Sequence, residues 1–528
     1  MRDSGGRRNT VITGTVRPAR ARLMAALALT CGLLLSACGA TAGIPEADGT
    51  DGRGLPMPGE IKPTTPMTNS ATTTVPNPAQ LTVSSERSSS GPVASGGPSA
   101  PYNYAPSIMT TATGEDMWWC SQLPGWARPG DQILFGQASG PDGPFVGPGV
   151  PALQVFVNSP SGFDQLHTCD PSVLRVDGEY YLYYTGTSDP QGQNNSIGLA
   201  QSTDGIHWVR ANGGAPIVAP AGDTAGGNSY GAGQPSALYL NGWFYLLFTD
   251  TSGKAANPSG AGQFVLRSTT PAFTSDVQAL GPSGFTTVGS TKTPRLRSVV
   301  EANSADWMWV DSLNAFAIAA DTAQGTTVTF WDADFTYQPY QPVTLGGPAE
   351  DGPGLVRTPE GHAPIPAGDP CGSLPIDLVR ATSDPTAPTG LTHYGVTVTG
   401  FDGCTTAAQA SDVLNGFAMP SPDRTMDLLV GGKFVDFERA SVAQAVAVGT
   451  LDQQVPALAG VPVEATIAAQ ASGISTSGEP LGLVATNGHL CLVGSTNAVQ
   501  LNSSTVQPVD AAKWAAYPGG CDLSTLRP

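Results

Sequence analysis

The sequence predicts an all-β body, a five-bladed β-propeller closed by strands from both chain ends, and three observations carry that reading. Only 12% of the 528 residues are charged, while 65 Gly and 47 Pro punctuate the chain, which excludes a coiled coil and favours a loop-rich β architecture. A strand–turn–strand unit recurs along the chain. Most of its copies are followed by a short apolar strand.

The N-terminus comes first and is not part of that body. Five arginines between Arg7 and Arg22 precede the apolar run Leu23–Leu35, whose 13 residues are too few to span roughly 30 Å of hydrocarbon as a helix. A signal peptide over 1–37 fits instead. Leu35-Ser36-Ala37-Cys38-Gly39 resembles a bacterial lipobox, in which small residues admit the peptidase and the Cys38 thiol carries the lipid. Cleavage removes six Arg and one Asp and takes the formal charge from −18 to −23. With 24 Lys and Arg against 42 Asp and Glu, the chain lacks the basic footprint that phosphate neutralisation requires, so nucleic acid is excluded as a partner.

Residues 38–106 are rich in Thr, Ser, Pro, Ala and Gly and carry no charge between Lys62 and Glu86. Such a stretch buries too little surface to offset its ordering entropy and is expected to be a disordered tether. The chain is therefore expected on the extracytoplasmic face of the cell membrane, held by lipid alone and acting as a monomer. Six cysteines remain in an oxidising compartment: Cys120, Cys169, Cys371, Cys404, Cys491 and Cys521. Fifteen pairings are formally open, and nearest-neighbour pairing, Cys120–Cys169, Cys371–Cys404 and Cys491–Cys521, is preferred. No Cys-x-x-Cys or His-x-x-x-His spacing occurs and the five histidines are scattered, so neither a transition-metal site nor a cofactor is expected. A structural calcium on the axis stays open.

The body, 107–528, is read from its hairpins. Asp170-Pro171-Ser172-Val173-Leu174 leads through Asp177-Gly178 to Tyr180-Tyr181-Leu182, and Gln234-Pro235-Ser236-Ala237-Leu238 leads at the same spacing through Asn241-Gly242 to Phe244-Tyr245-Leu246. Asp-Gly and Asn-Gly are the two-residue turns that match hairpin twist. Looser copies run from Asp306 to Ile318, from Asp351 through Gly361, and from Glu479 through Asn487-Gly488 to Leu492. The following apolar strands are Ile197–Ala200, Phe264–Arg267, Val328–Trp331 and Ile376–Val379. A fifth, Ile133–Gly136, lies ahead of all the hairpins and is expected to pair with the 479–493 hairpin, closing the ring. The gap between the last two hairpins is read as an insertion at about 405–475, whose hairpin Leu428–Phe434 is an alternative fifth inner pair.

These hairpins, with Ser202-Thr203-Asp204-Gly205-Ile206-His207-Trp208 after the first, resemble the opening blades of family 43 glycoside hydrolases and their furanosidase-clan relatives. The resemblance is strongest over 165–290 and implies a five-bladed propeller with three acids around its axis. Residue by residue, it makes Asp170 the general base and Asp306 the acid that tunes a pKa. Gln234-Pro235 fits a second blade that carries no acid. The family's Glu-Gly-Pro on blade four is here Glu350-Asp351-Gly352-Pro353, so the general acid is Asp351, one methylene shorter, or Glu350 through a local shift. Inverting hydrolysis sets base and acid about 6.5–9.5 Å apart with water between them, and a neighbouring carboxylate keeps the acid protonated. Gln234, Trp307 and Trp309 are expected to contact sugar, although Trp307 and Trp309 alternate along a strand and suit blade packing equally. The implied substrate is a polysaccharide or oligosaccharide with arabinofuranosyl or xylosyl linkages. A propeller that binds glycan without cleaving it, and a protein-interaction propeller, are the competing readings.

Overall fold

The computed structural model describes residues 77–122, 131–224, 228–382, 390–524 and 526, with Glu350 and Asp351 described by their backbone alone. The leader, the lipobox with Cys38 and the tether as far as residue 76 lie outside the described residues.

The described chain is mostly β and arranged in several sheets. Strand β1 spans Thr82–Ser88; β2 (Tyr102–Thr111), β3 (Gly114–Gln122), β4 (Asp131–Ala138) and β5 (Leu153–Phe156) form an antiparallel run. A second sheet holds β6 (His167–Val176), β7 (Glu179–Thr187), β8 (Ser196–Ser202) and β9 (Val209–Arg210). A third holds β10 (Ala232–Leu240), β11 (Trp243–Asp250), β12 (Gln263–Ser268), β13 (Gln278–Gly281) and β14 (Gly284–Thr287). A fourth holds β15 (Ala305–Val310), β16 (Ala315–Thr322), β17 (Gly325–Asp332) and β18 (Val343–Leu345). Then come β19 (Glu350–Arg357), β20 (Ser373–Thr382) and β21 (Gly390–Thr399).

The predicted hairpin turns form as their residues require. Asp177 and Gly178 have φ of 51° and 82°, and Asn241 and Gly242 have 50° and 80°, the paired positive values of a type I′ turn. Side chains on the sheet faces then pack sheet against sheet. Leu174, Tyr183 and Ile197 of the second sheet meet Leu246, Phe248 and Phe264 of the third. Tyr245 and Leu247 meet Trp307, Phe316 and Ile318 of the fourth. The first strands neighbour one another in turn: β2 beside β6, β6 beside β10, β10 beside β15, β15 beside β19, and β19 beside β2.

That last contact includes a backbone ladder. β19 pairs in parallel with β2, Val356 opposite Ile108, while β1 joins β21 antiparallel with Thr82 opposite Thr399. The Arg87 guanidinium grips both oxygens of Asp377, at 3.0 Å each, and holds β1 on this edge. Two expectations are thereby corrected. The stretch 82–106 is not tether but supplies β1 and the start of β2. Ile133–Phe135, inside β4, pairs with β3 and β5 and not with the 479–493 hairpin. An inner hairpin ahead of β4, β2–β3, already satisfies its edge.

Residues 400–524 contribute no strand to these sheets among the described residues. After α1 (Ala407–Leu414), one sheet contains β22 (Phe417–Pro420), β23 (Met426–Val430), β24 (Lys433–Phe437), β25 (Gly449–Thr450) and β26 (Val463–Ile467). A further sheet contains β27 (Gly473–Ser475), β28 (Gly482–Val484), β29 (Leu490–Leu492), β30 (Val506–Pro508) and β31 (Gly519–Asp522). The 405–475 stretch and the 479–493 hairpin are therefore parts of one C-terminal region with a shared core of Leu428, Phe437, Ile467, Leu483 and Val499, and not an insertion and a closing blade.

The disulfides are Cys120–Cys169, Cys371–Cys404 and Cys491–Cys521, the nearest-neighbour set. The first ties β3 to β6 immediately before Asp170. No described helix is long and apolar enough to cross a membrane.

One connection positions the site by closing the opposite end of the first strands. After β19 the chain crosses their far ends: Arg175 N–H donates to Pro359 O, Tyr239 N–H to Glu360 O, and Trp309 N–H to Gly361 O. Gly361 has φ of 86°, and a Cβ there would run into Leu238, so glycine is required for this close passage.

Candidate active site

Three first strands open with the same tripeptide pattern: Ala105-Pro106-Ser107 in β2, Asp170-Pro171-Ser172 in β6 and Gln234-Pro235-Ser236 in β10. Proline has no N–H to give to a ladder, and at each of these sites the pairing register shifts as in a β-bulge. The residue before each proline is left-handed, with φ of 45° at Ala105, 48° at Asp170 and 50° at Gln234. Gly352-Pro353-Gly354 repeats the device in β19, with φ of 77° at Gly352. A left-handed conformation costs a non-glycine residue about 1–2 kcal/mol, so three such residues in a ring mark an imposed geometry. β15 lacks the bulge and runs in regular register, Ala305 opposite Ala320 and Asp306 opposite Ala319.

Beneath the bulges lies a ring of side-chain ties. Ser107 Oγ accepts the Val173 N–H at 3.0 Å, Ser172 Oγ that of Ala237 at 2.9 Å, and Ser236 Oγ that of Trp307 at 3.3 Å. The next tie is made by Asp306, whose Oδ2 accepts the Leu355 N–H at 2.7 Å. The ring ends at Gly354, where a Cβ would collide with the Pro106 carbonyl and where β19 and β2 pair directly. Asp306 thus stands in register with Ser172 and Ser236, two residues deeper than Asp170. Its other oxygen takes the Ser236 hydroxyl and lies 3.1 Å from Arg357. Arg357 also donates to the carbonyls of Ala237 and Trp307 at 3.0 and 2.9 Å. Asp306 shares a cavity with Asp170 but sits deeper, because the unbulged strand carries this carboxylate into the ring, where it is bonded on both oxygens.

Above the ring is a small cavity lined from all five first strands, including Asp170, Gln234, Ser304, Asp306 and Gly352. Its volume, about 20 Å³, suits one water. The Tyr230 hydroxyl donates to Asp170 at 3.5 Å, and Gln234 Oε1 accepts from Thr249 at 3.3 Å. Nearby, Tyr104 donates to Asp131 at 2.6 Å, and His167 Nδ1 lies 3.2 Å from the same oxygen. The His167 pKa is raised, chiefly by that hydrogen bond, with burial opposing and the charges of Asp131 and Asp170 adding to it. Imidazolium character is therefore favoured on the flank of Asp170.

Glu350 and Asp351 lie in β19 directly before the cavity-lining Gly352, and their side chains lie outside the described residues. Trp307 has no free face: it is 0% exposed, its ring centroid is 5.1 Å from that of Phe316, and its indole N–H donates to Ser236 O at 2.9 Å. Trp309 packs edge-on to Phe316 and lies nearer the turn end of β15. Neither tryptophan lines the Asp170 cavity, because the inward pleat of β15 turns both into the packing with the third sheet. Sequence reasoning missed Tyr230, Arg357, Tyr104 and Asp131. The X-Pro-Ser repeat, read at Ala105-Pro106-Ser107, was the available signal for β2.

Among the described residues, Cys120, Asp131 and Cys169 alone bring three metal-type ligands within reach, and both cysteines are spent in a disulfide.

No protein-family model matches the chain, and no curated protein matches it. Solved structures similar to it include a family 117 glycoside hydrolase from the marine bacterium Zobellia galactanivorans, at 11% identity over 59% of this chain and 90% of that one, with a TM-score of 0.41. The catalytic domain of a Coprinopsis cinerea GH62 alpha-L-arabinofuranosidase is 11% identical over 60% of this chain and 97% of its own, with a TM-score of 0.37. An alpha-L-arabinofuranosidase from Podospora anserina, solved with cellotriose, has the same identity and coverages and the same TM-score.

Proposed function

We propose that the chain is a lipid-anchored glycoside hydrolase of the bacterial envelope, built on a five-bladed propeller and cleaving arabinofuranosyl or xylosyl linkages with inversion. The observation that carries the reading is the Asp170 carboxylate, held in a left-handed bulge beside a water-sized cavity where five first strands meet. Blades in a propeller meet by side-chain packing and not as one closed sheet, so the cyclic order of β2, β6, β10, β15 and β19 supports the ring. The β19–β2 ladder and β1, in place of the C-terminal region, close it.

In this reading Asp170 takes a proton from the water in that cavity as it attacks the anomeric carbon. Asp351 or Glu350 gives a proton to the leaving oxygen. Asp306 is committed to Arg357, so the like charge that keeps the acid protonated comes from Asp170 itself. Lipid on Cys38 and the stretch before β1 hold the monomer at the membrane.

The test is release of sugar from arabinan, xylan and their nitrophenyl glycosides, with the anomer of the first product followed by NMR. Asp170→Asn keeps a residue that tolerates the left-handed backbone and should lower turnover by roughly 10²–10⁴ while nearly preserving affinity. Loss on natural substrates with retention on nitrophenyl glycosides identifies the acid, in Asp351→Asn or in Glu350→Gln. Cys38→Ala should move the protein from the membrane fraction to the medium.

The bonded state of Asp306 favours a second reading, a propeller that binds glycan without cleaving it. Retention of glycan in a pull-down with no released sugar would select it.

A further inference from the structure

A cavity of about 1280 Å³ lies at the other end of the first strands from Asp170. Its walls are the β10–β11 and β15–β16 turns on one side and α1 with the Gly431-Gly432 and Gly460–Pro462 turns on the other. The hydrolytic site uses none of these residues.

We infer that this cavity is a second carbohydrate-binding site, taking several units of a neutral oligosaccharide. Size is the first argument, because pockets for drug-sized ligands run to about 300–1,000 Å³ and this one exceeds that range. Charge is the second: Asp311, Asp402 and Asp412 line it, and none of its lining residues is Lys, Arg or His. Anionic ligands are therefore repelled. Carboxylate and amide oxygens, with the amide N–H groups of Asn241 and Asn314, supply the mixed acceptors and donors that sugar hydroxyls need. Leu240, Tyr340 and Pro462 offer apolar surface to the C–H faces of a sugar.

The walls are also held before any ligand arrives. Gly403 lies so close to the Ser312 backbone that a Cβ would not fit, and the Cys371–Cys404 disulfide fixes the following residue. Thr406 and Gln409 cap α1 reciprocally, and Asn415 Oδ1 accepts the Gly431 N–H at 2.8 Å. Asp311 is fixed by His362 at 2.9 Å. A preformed wall lowers the ordering cost of binding.

The experiment is calorimetric titration of the full chain carrying Asp170→Asn, which slows turnover, with xylohexaose, α-1,5-arabinohexaose and cellohexaose. Asn314 has φ of 47°, so Asn314→Gly removes its side chain without backbone strain. That variant and Asp412→Ala should each weaken binding about 3- to 10-fold, the worth of one or two hydrogen bonds. Gly460 lines the cavity, has open space around its Cβ position and no positive φ, so Gly460→Trp should fold, obstruct part of the cavity and weaken this binding. In the Asp170 background, all three should leave the fold intact by circular dichroism; in the unsubstituted chain, release from nitrophenyl glycosides should be unchanged. The inference is overturned if no hexasaccharide titrates, or if affinity is the same in all three variants. It is equally overturned if spermine or calcium binds, sugars do not, and Asp412→Ala removes that binding. Failure of hydrolysis at Asp170 leaves this titration unaffected, so the two readings fail separately.

Discussion

The Arg357 guanidinium lies 3.1 Å from the Asp306 carboxylate, and the two residues are 1% and 6% exposed. Charges so placed are costly to separate, since removing one partner leaves the other buried and uncompensated. Asp306→Asn should therefore destabilise the chain by about 3–5 kcal/mol, read as a lower urea midpoint. Asp306→Asn with Arg357→Met should cost less than the sum of the single changes. A carboxylate that only tuned a catalytic pKa would behave otherwise, leaving the midpoint in place and shifting the high-pH limb of the activity profile.

Gly354 stands where β19 meets β2, and its missing Cβ is what allows β19 to lie against the Pro106 carbonyl. Gly354→Ala should cost about 1–3 kcal/mol as overpacking and speed amide exchange at Ile108 and Val356. Gly289→Ala, with open space and no positive φ, is the control and should be near neutral. Equal effects of the two substitutions would mean that this close approach does not hold β19 to β2.

These two sites mark what the sequence could and could not reveal. The Asp177-Gly178 and Asn241-Gly242 turns were legible because they need paired positive φ, which few dipeptides supply. The disulfide set follows from proximity along the chain. β1 was illegible: Thr82–Ser88 is exposed along nearly its whole length and carries no alternating apolar face. The depth of Asp306 was hidden because a bulge is a matter of pairing, and only the prolines hint at it. Asn487-Gly488 sits in a hairpin as expected, yet β27 and β29 add parallel partners β30 and β31, and alternation along a strand does not name its partner.

His362 pins the connection that closes the far end of the first strands. Its Nδ1 lies 2.9 Å from Asp311 and its Nε2 2.9 Å from the Tyr239 carbonyl, both acceptors, so the doubly protonated ring satisfies both. Burial opposes that charge, but the bond and charge of Asp311 and the Tyr239 carbonyl outweigh it and raise the pKa above its ordinary 6.5. A pKa raised on folding contributes stability that is full below the unfolded value and is lost as pH rises through the folded one. His362→Gln should therefore lower the melting temperature most at pH 5–6 and progressively less toward pH 9. A difference constant across that range would mean the ring acts by packing alone.

Asp427 and Asp436 face each other directly across β23 and β24. Burial first, and then the charge of Asp436, push the Asp427 pKa up to about 6 from an ordinary 3.8. For an acid the sign is the reverse of a stabilising pair: the folded state resists ionisation, so the penalty is absent below pH 4, grows between pH 4 and 6, and is complete above. Asp427→Asn keeps the size and removes the charge. It should stabilise the chain by about 1–2 kcal/mol at pH 7, a value reduced for solvent screening, and by nothing measurable at pH 3.5. Thermal melts of both proteins at the two pH values check this. A lower melting temperature for Asp427→Asn at pH 7 would mean that the carboxylate is matched by a positive partner, and the repulsion with Asp436 would then not govern this hairpin.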